Sequence, residues 1–237
     1  MSIKPALMLP LLAFAAPAAA AEIQIQVQGP VVEITAMEQV PGKPDIATIT
    51  AGVTTRATTA VEAMQRNAGA MDRVIAAIKA RGIAAKDIQT AGITLNPQWR
   101  YNNDQTPPTF LGYDAGNRVT VINRDVSKTG PILDALVASG ANEISGPAFS
   151  IEDDTAQRRE ARRMALAAAQ AQAREYATAA GFANVRLLEI NDTVMPGQVR
   201  TYDIMVTGRS AMAAKTPVEP GMVGTSVQIT VKYEMVR

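Results

Sequence analysis

Three consecutive acids, Glu152, Asp153 and Asp154, stand directly ahead of a run carrying Arg158, Arg159, Arg162 and Arg163. Carboxylates this close can hold a divalent cation through oxygen ligands or share acid–base work. The arginines fall as two i, i+4 pairs, which a helix would gather into one basic patch able to receive an anion or an acidic partner surface. The same residues have plain structural uses. Acids offset the positive end of a helix, and arginines beside them and Glu160 make a solvated face. The alternating Asp-x-Asp-x-Asp-Gly of a calcium loop is missing, which favours the helix-cap reading.

Other chemistry is limited by absence. The chain has no histidine and no cysteine. It therefore lacks the side chain that most often titrates near neutrality, the versatile thiol nucleophile, and the usual zinc, copper and haem ligands. There is no Gly-x-Ser-x-Gly elbow, phosphate-binding loop or dinucleotide fingerprint. Ser127-Lys128 contains a nucleophile and a base, but adjacent residues on one segment do not aim at each other, so the pair reads as a helix start. Asn191-Asp192-Thr193 has the form of a glycosylation tripeptide, which reads as chance. Met195, Met205, Met212 and Met222 could take up oxidant, but their wide spacing suits packing filler better than a copper site. No cofactor, metal-ligand set or catalytic residue emerges.

A different kind of site is suggested by Trp99, Tyr101, Phe110 and Tyr113, four of the chain's ten aromatic residues. They flank Asn102-Asn103-Asp104-Gln105-Thr106-Pro107-Pro108, a composition that forbids regular structure and marks a hairpin tip. On adjacent strands the rings can pair across the ladder as ordinary packing. They can equally form an exposed recognition or assembly surface, since large amphipathic rings supply contact area.

The elements that must position these groups follow from periodicity. Val31 to Met37 reads as a first strand, and Pro41-Gly42-Lys43-Pro44 as a turn. Ala47, Ile49, Ala51 and Val53 alternate with polar residues or glycine, a half-buried strand. From Thr58, Val61, Met64, Ala68, Met71, Val74, Ile75 and Ile78 make a helix stripe closed by Gly82. Strands are expected from Asp87 to about Arg100 and from about Thr109 to Asn123. A helix then opens near Pro131 and closes at Gly140. Ile144 to Ile151 should be a strand, and a long helix should run from the Asp153-Asp154 cap to Gly181, roughly 40 Å.

Ala161, Ala165, Ala168, Ala169, Ala173, Ala177 and Ala180 include a ribbon of small side chains on that helix. It can pack on the protein's own sheet or against a neighbouring subunit. Strands around Val185 to Ile190 and Val227 to Glu234 bracket an irregular segment, Pro196 to Gly224. Val74 to Gly82 and Ile132 to Gly140 are weakly similar, each preceded and followed by a strand. The expected class is α+β: a mostly antiparallel sheet with helices on one face, two strand-helix-strand units and one long Ala-rich helix.

Met1 to Ala21 reads as a secretory signal peptide, with Lys4 ahead of an apolar stretch and a small-residue cleavage region from Pro17 to Ala21. This points to a bacterial periplasmic protein, with no later apolar run long enough to span a membrane. Without Lys4 the cationic and acidic side chains balance at 22 each. Such a chain has no electrostatic footprint for nucleic acid or an anionic membrane. Without disulfides, burial alone must hold the fold, and a chain of this length can manage that.

In sequence order, several segments resemble the bacterial periplasmic SIMPL-domain family. They are Lys43-Pro44-Asp45-Ile46-Ala47-Thr48-Ile49, Gly82 to Thr90, Leu95-x-Pro97-x-Trp99, Gly112-Tyr113-Asp114-Ala115, Gly140-Ala141-Asn142-x-Ile144-Ser145-Gly146, Ala179-Ala180-Gly181 and Thr216 to Gly221. The resemblance covers nearly all of 22–237, read as one SIMPL-like domain with two lobes at about 31–108 and 109–237. It implies likeness to periplasmic immunogenic and oxidative-stress-defence proteins, an α+β fold and a tendency to form homo-oligomers. It supplies no catalytic residues. The expectation is a non-enzymatic protein that assembles with itself and supports the envelope, with other envelope proteins as further partners. The alternative is a ligand- or ion-binding module, or weak hydrolase, using the acids and arginines that open the third helix.

Overall fold

The structure is a computed structural model and describes residues 26–101, 106–193 and 216–237. The expected signal segment, four hairpin-tip residues (102–105) and Met195, Met205 and Met212 lie outside the described residues. The described chain has strands β1 (Val31–Gly42), β2 (Ile46–Ala57), β3 (Ile88–Arg100), β4 (Thr109–Asn123), β5 (Glu143–Ser150), β6 (Asn184–Thr193) and β7 (Val223–Val236). Its helices are α1 (Ala60–Ala80), α2 (Thr129–Ala138) and α3 (Thr155–Ala179). The class is α+β with antiparallel pairing, as the periodicity predicts. The strands divide between two sheets, however, of order β3-β4-β2-β5 and β1-β7-β6.

In the four-stranded sheet, β2 and β3 both run antiparallel to β4, while β4 and β5 both run antiparallel to β2. The two strand-helix-strand units, β2-α1-β3 and β4-α2-β5, are thus interleaved, a split βαβ arrangement of ferredoxin-like type. Alternation decides which face is buried. Ile49, Ala51 and Val53 of β2 and Val119 and Val121 of β4 pack beneath Met71, Val74 and Ile78 of α1 and Ile132 and Leu136 of α2. The opposite face carries Thr48, Thr50, Thr120 and Arg118 and stays open. Thr59 caps α1, its hydroxyl accepting from the Glu62 N–H at 3.2 Å. Gly82, Gly140 and Gly181 follow the three helices with positive φ, as helix-closing glycines do.

The three-stranded sheet joins β1 to β7, which lies far from it in sequence, with α3 across one face. Pro41 and Gly42 were expected in a turn, yet they continue β1, pairing with Gly224 and Val223. A partner strand 14 residues long extends the pairing past the local turn signal. Ala161, Ala165, Ala169 and Ala173 are fully buried against Ile34, Val227, Ile229 and Val231. Of the two readings of the alanine ribbon, packing on the protein's own sheet is the one present; Ala168 and Ala180 lie off it, exposed. The β1–β2 link is tied to the end of β5 through Asp45, whose N–H donates to the Ser150 carbonyl at 3.1 Å and whose Oδ1 accepts from the Glu152 N–H at 2.8 Å. The lobe boundary expected near residue 108 falls between β3 and β4, which pair along most of their length.

Candidate functional site

The residues that open α3 are separated by the fold into structural roles. Asp153 Oδ1 accepts from the Thr155 N–H at 3.1 Å, and hydrogen bonding to Thr155 holds the Asp153 carboxyl below its usual range. Asp154 pairs with Arg158 at 2.6 Å, one helical turn on. Glu152 turns away to Arg124. Arg162 reaches Asp192 of β6 at 2.6 Å, and Arg163 pairs with Glu160 at 2.5 Å. Of the four arginines, Arg159 alone has no ion-pair partner among the described residues. Only Asp154 and Arg158 pair across the two candidate sets; Glu152, Arg162 and Arg163 are paired with residues outside them. No group of three acids close enough to hold a metal ion occurs among the described residues. Ser127 and Lys128 both turn to Asp125, the hydroxyl to Oδ1 and the ammonium to Oδ2, in the turn ahead of α2.

Two charge clusters were not visible in sequence. Arg124, at the end of β4, forks onto Asp87 through Nε and Nη2 at 3.0–3.1 Å and onto Glu152 through Nη1. Those bonds push the guanidinium up and hold the nearly buried Asp87 carboxyl down, with the Arg124 hydrogen bonds the main cause for Asp87. On the open sheet face, Glu143 accepts from the Thr54 hydroxyl and from Arg118, which keeps its carboxyl low. Gly52 lies between them. A Cβ there would stand 3.0 Å from Arg118 Cγ and 3.2 Å from Glu143 Cβ. Each cluster ties strands together, and in each the charges are spent on one another.

The aromatic hairpin is the group that the fold leaves open. Trp99 opposes Phe110 across the β3–β4 ladder with ring centroids 5.0 Å apart, and Phe110 meets Tyr113 at 5.3 Å, both edge to face. Tyr113 packs half-buried on Ala57, Ala63 and Ala115 at the start of α1. Beyond that point the hairpin projects past the helix. Trp99 is 48% exposed, Tyr101 77% and Phe110 41%.

The row continues down β3 in residues the sequence reading did not single out. Leu95 pairs with Ala115 and Ile93 with Asn117, which places both on the helix side of the sheet. Yet Ile93 is 57% exposed and Leu95 40%, because α1 lies over β2 and β4 and only grazes β3. The alternation of Ile93, Leu95, Pro97 and Trp99 was there to be read; the lateral position of the helix was not. The result is a continuous apolar row on an edge strand, without a covering element from its own chain among the described residues. Such a row is chemically inert and suited to contact.

Comparison with known proteins places this geometry in context. Residues 32–233 match the model of the SIMPL family, described as a protein of unknown function (DUF541). The 26 kDa periplasmic immunogenic protein of Brucella melitensis is 32% identical over 234 residues, covering 94% of this chain and 92% of that one. The protein of the same name from Brucella abortus matches at the same level. The uncharacterized protein YggE of Escherichia coli K12 is 29% identical over 149 residues, 63% of this chain and 60% of its own.

Proposed function

The chain belongs to the SIMPL family, and from that premise we propose that it is a non-catalytic periplasmic protein that assembles with copies of itself and supports the cell envelope, including under oxidative stress. The observation that carries this reading is the exposed aromatic row of the β3–β4 hairpin. Burial of large apolar side chains is the main favourable term in association, and monomers rarely present so many of them together. The periplasmic location draws on the names of the Brucella relatives and on the N-terminal sequence. No described helix is long and apolar enough to cross a membrane. The stress role draws on the family resemblance.

The competing reading, a binding module or hydrolase at the start of α3, is disfavoured by the ion pairs that satisfy Asp154, Arg158, Arg162 and Arg163. A hydrolase also needs acid–base or nucleophilic groups turned toward a substrate, and these side chains are turned to one another, to Glu160 and to Asp192.

Native mass spectrometry of the mature protein, purified from periplasm, tests the proposal. A discrete homo-oligomer is the expected result. A monomer at all concentrations overturns self-assembly, and a monomer carrying stoichiometric adduct mass replaces it with the binding-module reading.

A further inference from the structure

We infer that the hollow beside the end of α1 binds a small phosphate or phosphomonoester dianion, whatever the manner in which copies assemble. The hollow measures about 290 Å³ and opens where the end of α1, the short turn ahead of β3 and the junction between β4 and α2 meet. That volume is at the lower end of small-molecule sites. Four cations line it, Arg81, Lys86, Arg124 and Lys128, against two acids, Asp87 and Asp125. Strand register gathers them. Ile88 opposes Val121 across the antiparallel β3–β4 ladder, so the residues just before β3 come to lie beside those just after β4.

The acids in the hollow are taken, and two of the cations are not. Asp87 receives the Arg124 fork, and Asp125 receives Lys128 at 2.8 Å. Glu152, outside the hollow, meets Arg124 from its other side. Arg81 and Lys86 have no ion-pair partner among the described residues. The Asp87 side chain is 6% exposed against 40% for Arg124, so the acid sits behind the cation that covers it. The end of α1 adds little opposing field, because the N–H groups of Arg81, Gly82 and Ile83 already cover the carbonyls of Ala77, Ile78 and Lys79. Arg118, Arg158 and Arg186, which line other hollows, are each taken by an acid, Glu143, Asp154 and Glu234.

The donors select the ligand class. Two unpaired cations on one hollow call for an anion with at least two charged oxygens. A tetrahedral phosphate can give separate oxygens to the Arg81 guanidinium, the Lys86 ammonium and the outer edge of Arg124, which come from three places in the chain. A planar carboxylate faces one direction. Ile83 and Ile122 also line the hollow and give a small organic body an apolar wall.

The absence of histidine makes the ligand's own charge readable. Hydrogen bonds from Arg124 hold Asp87 and Glu152 low, and those from Lys128 and Ser127 hold Asp125 low. No side chain around the hollow therefore changes charge between about pH 5.5 and 7.5. Phosphomonoester binding should tighten roughly fourfold over that interval, as the second phosphate proton leaves near pH 6.

Calorimetry of the mature protein with glycerol 3-phosphate, inorganic phosphate and acetate at matched ionic strength tests the site, together with mass-spectrometric mapping of lysine acetylation. Expected are a Kd below about 1 mM for the phosphates at low salt, much weaker acetate binding, and protection of Lys86 and Lys128 but not of exposed Lys43. The double variant Arg81→Gln, Lys86→Gln should lose at least about tenfold in affinity. Arg159→Gln, which removes another unpaired cation, should stay within about twofold. Equal affinity of the double variant and the parent overturns the site, as does an affinity that is flat with pH or as tight for acetate. Vesicles carrying phosphatidic acid distinguish the source. Co-sedimentation that the double variant loses, without heat from the soluble probes, assigns the phosphomonoester to a lipid head group; heat from the soluble probes without co-sedimentation assigns it to a free solute. Neither heat nor co-sedimentation overturns the proposal and leaves self-assembly untouched.

Discussion

Glu234 is the most confined acid of the three-stranded sheet, 2% exposed near the end of β7. Its Oε1 accepts the N–H groups of Gln28 and Gly29 at 2.6 and 2.7 Å, and Oε2 takes the Arg186 fork. These bonds, the Gln28 N–H foremost, hold the carboxyl below the ordinary glutamate range. Because the folded-state pKa is the lower one, the stabilisation is complete above the unfolded-state value of about 4.3 and drains away as pH falls through the folded value. Glu234→Gln should therefore lower Tm at pH 7 by several degrees. It should also flatten the Tm decline between about pH 5 and pH 3, measured by calorimetry; an unchanged pH profile would refute this role. Gly29 belongs to the same clasp, for a Cβ there would stand 2.4 Å from the Met235 carbonyl oxygen. Gly29→Ala should cost roughly 1–3 kcal/mol in urea unfolding, as clashes against fixed backbone do.

At the scale of elements, α3 separates two kinds of alanine that look alike in sequence. Ala169→Leu forces three extra heavy atoms into a space closed by β1 and β7, and should destabilise by about 1–3 kcal/mol. Ala168→Leu, one position earlier and exposed, should lie within about 0.5 kcal/mol of the parent; chemical denaturation of the two variants distinguishes them. The helices and strands themselves were legible because their signals are local. Thr59, Gly82, Gly140 and Gly181 mark helix ends, and the Thr109 to Asn123 strand appears with the bounds its alternation predicts. What was not legible is pairing between distant segments. Nothing local in Val31–Gly42 announces that its neighbour is Val223–Val236, or that the strands would split into two sheets. The site divides in the same way. The aromatic cluster could be read from composition, whereas Ile93 and Leu95 joined it only because α1 sits to one side. The arginines of α3 looked available until Asp192 arrived from β6 to take Arg162.

For the whole molecule, the two sheets have unlike dependence on chain continuity. The four-stranded sheet and its helices come from residues 46–150, an unbroken stretch, while the three-stranded sheet needs β1 from before that stretch and β6 and β7 from after it. Removing residues 224–237 should leave β1 and β6 with no strand between them and strip the cover from the alanine face of α3. Hydrogen exchange should then show fast amides throughout α3 while α1 keeps its protection; retained protection in α3 would mean that its packing does not depend on β7. Replacing Trp99 and Tyr101 with serine should shift assembly toward monomer without lowering Tm, since both side chains are largely outside the core, and light scattering beside calorimetry checks it. The placement of β7 also imposes an order on biosynthesis. A nascent chain made from its N-terminus holds β1 for the time taken to make everything between, with no hydrogen-bonding neighbour, because the middle strand of its sheet is the last of the three to be synthesised. Until then the three-stranded sheet is incomplete, and a ribosome that stops short of β7 releases a chain whose β1 and β6 have no strand between them.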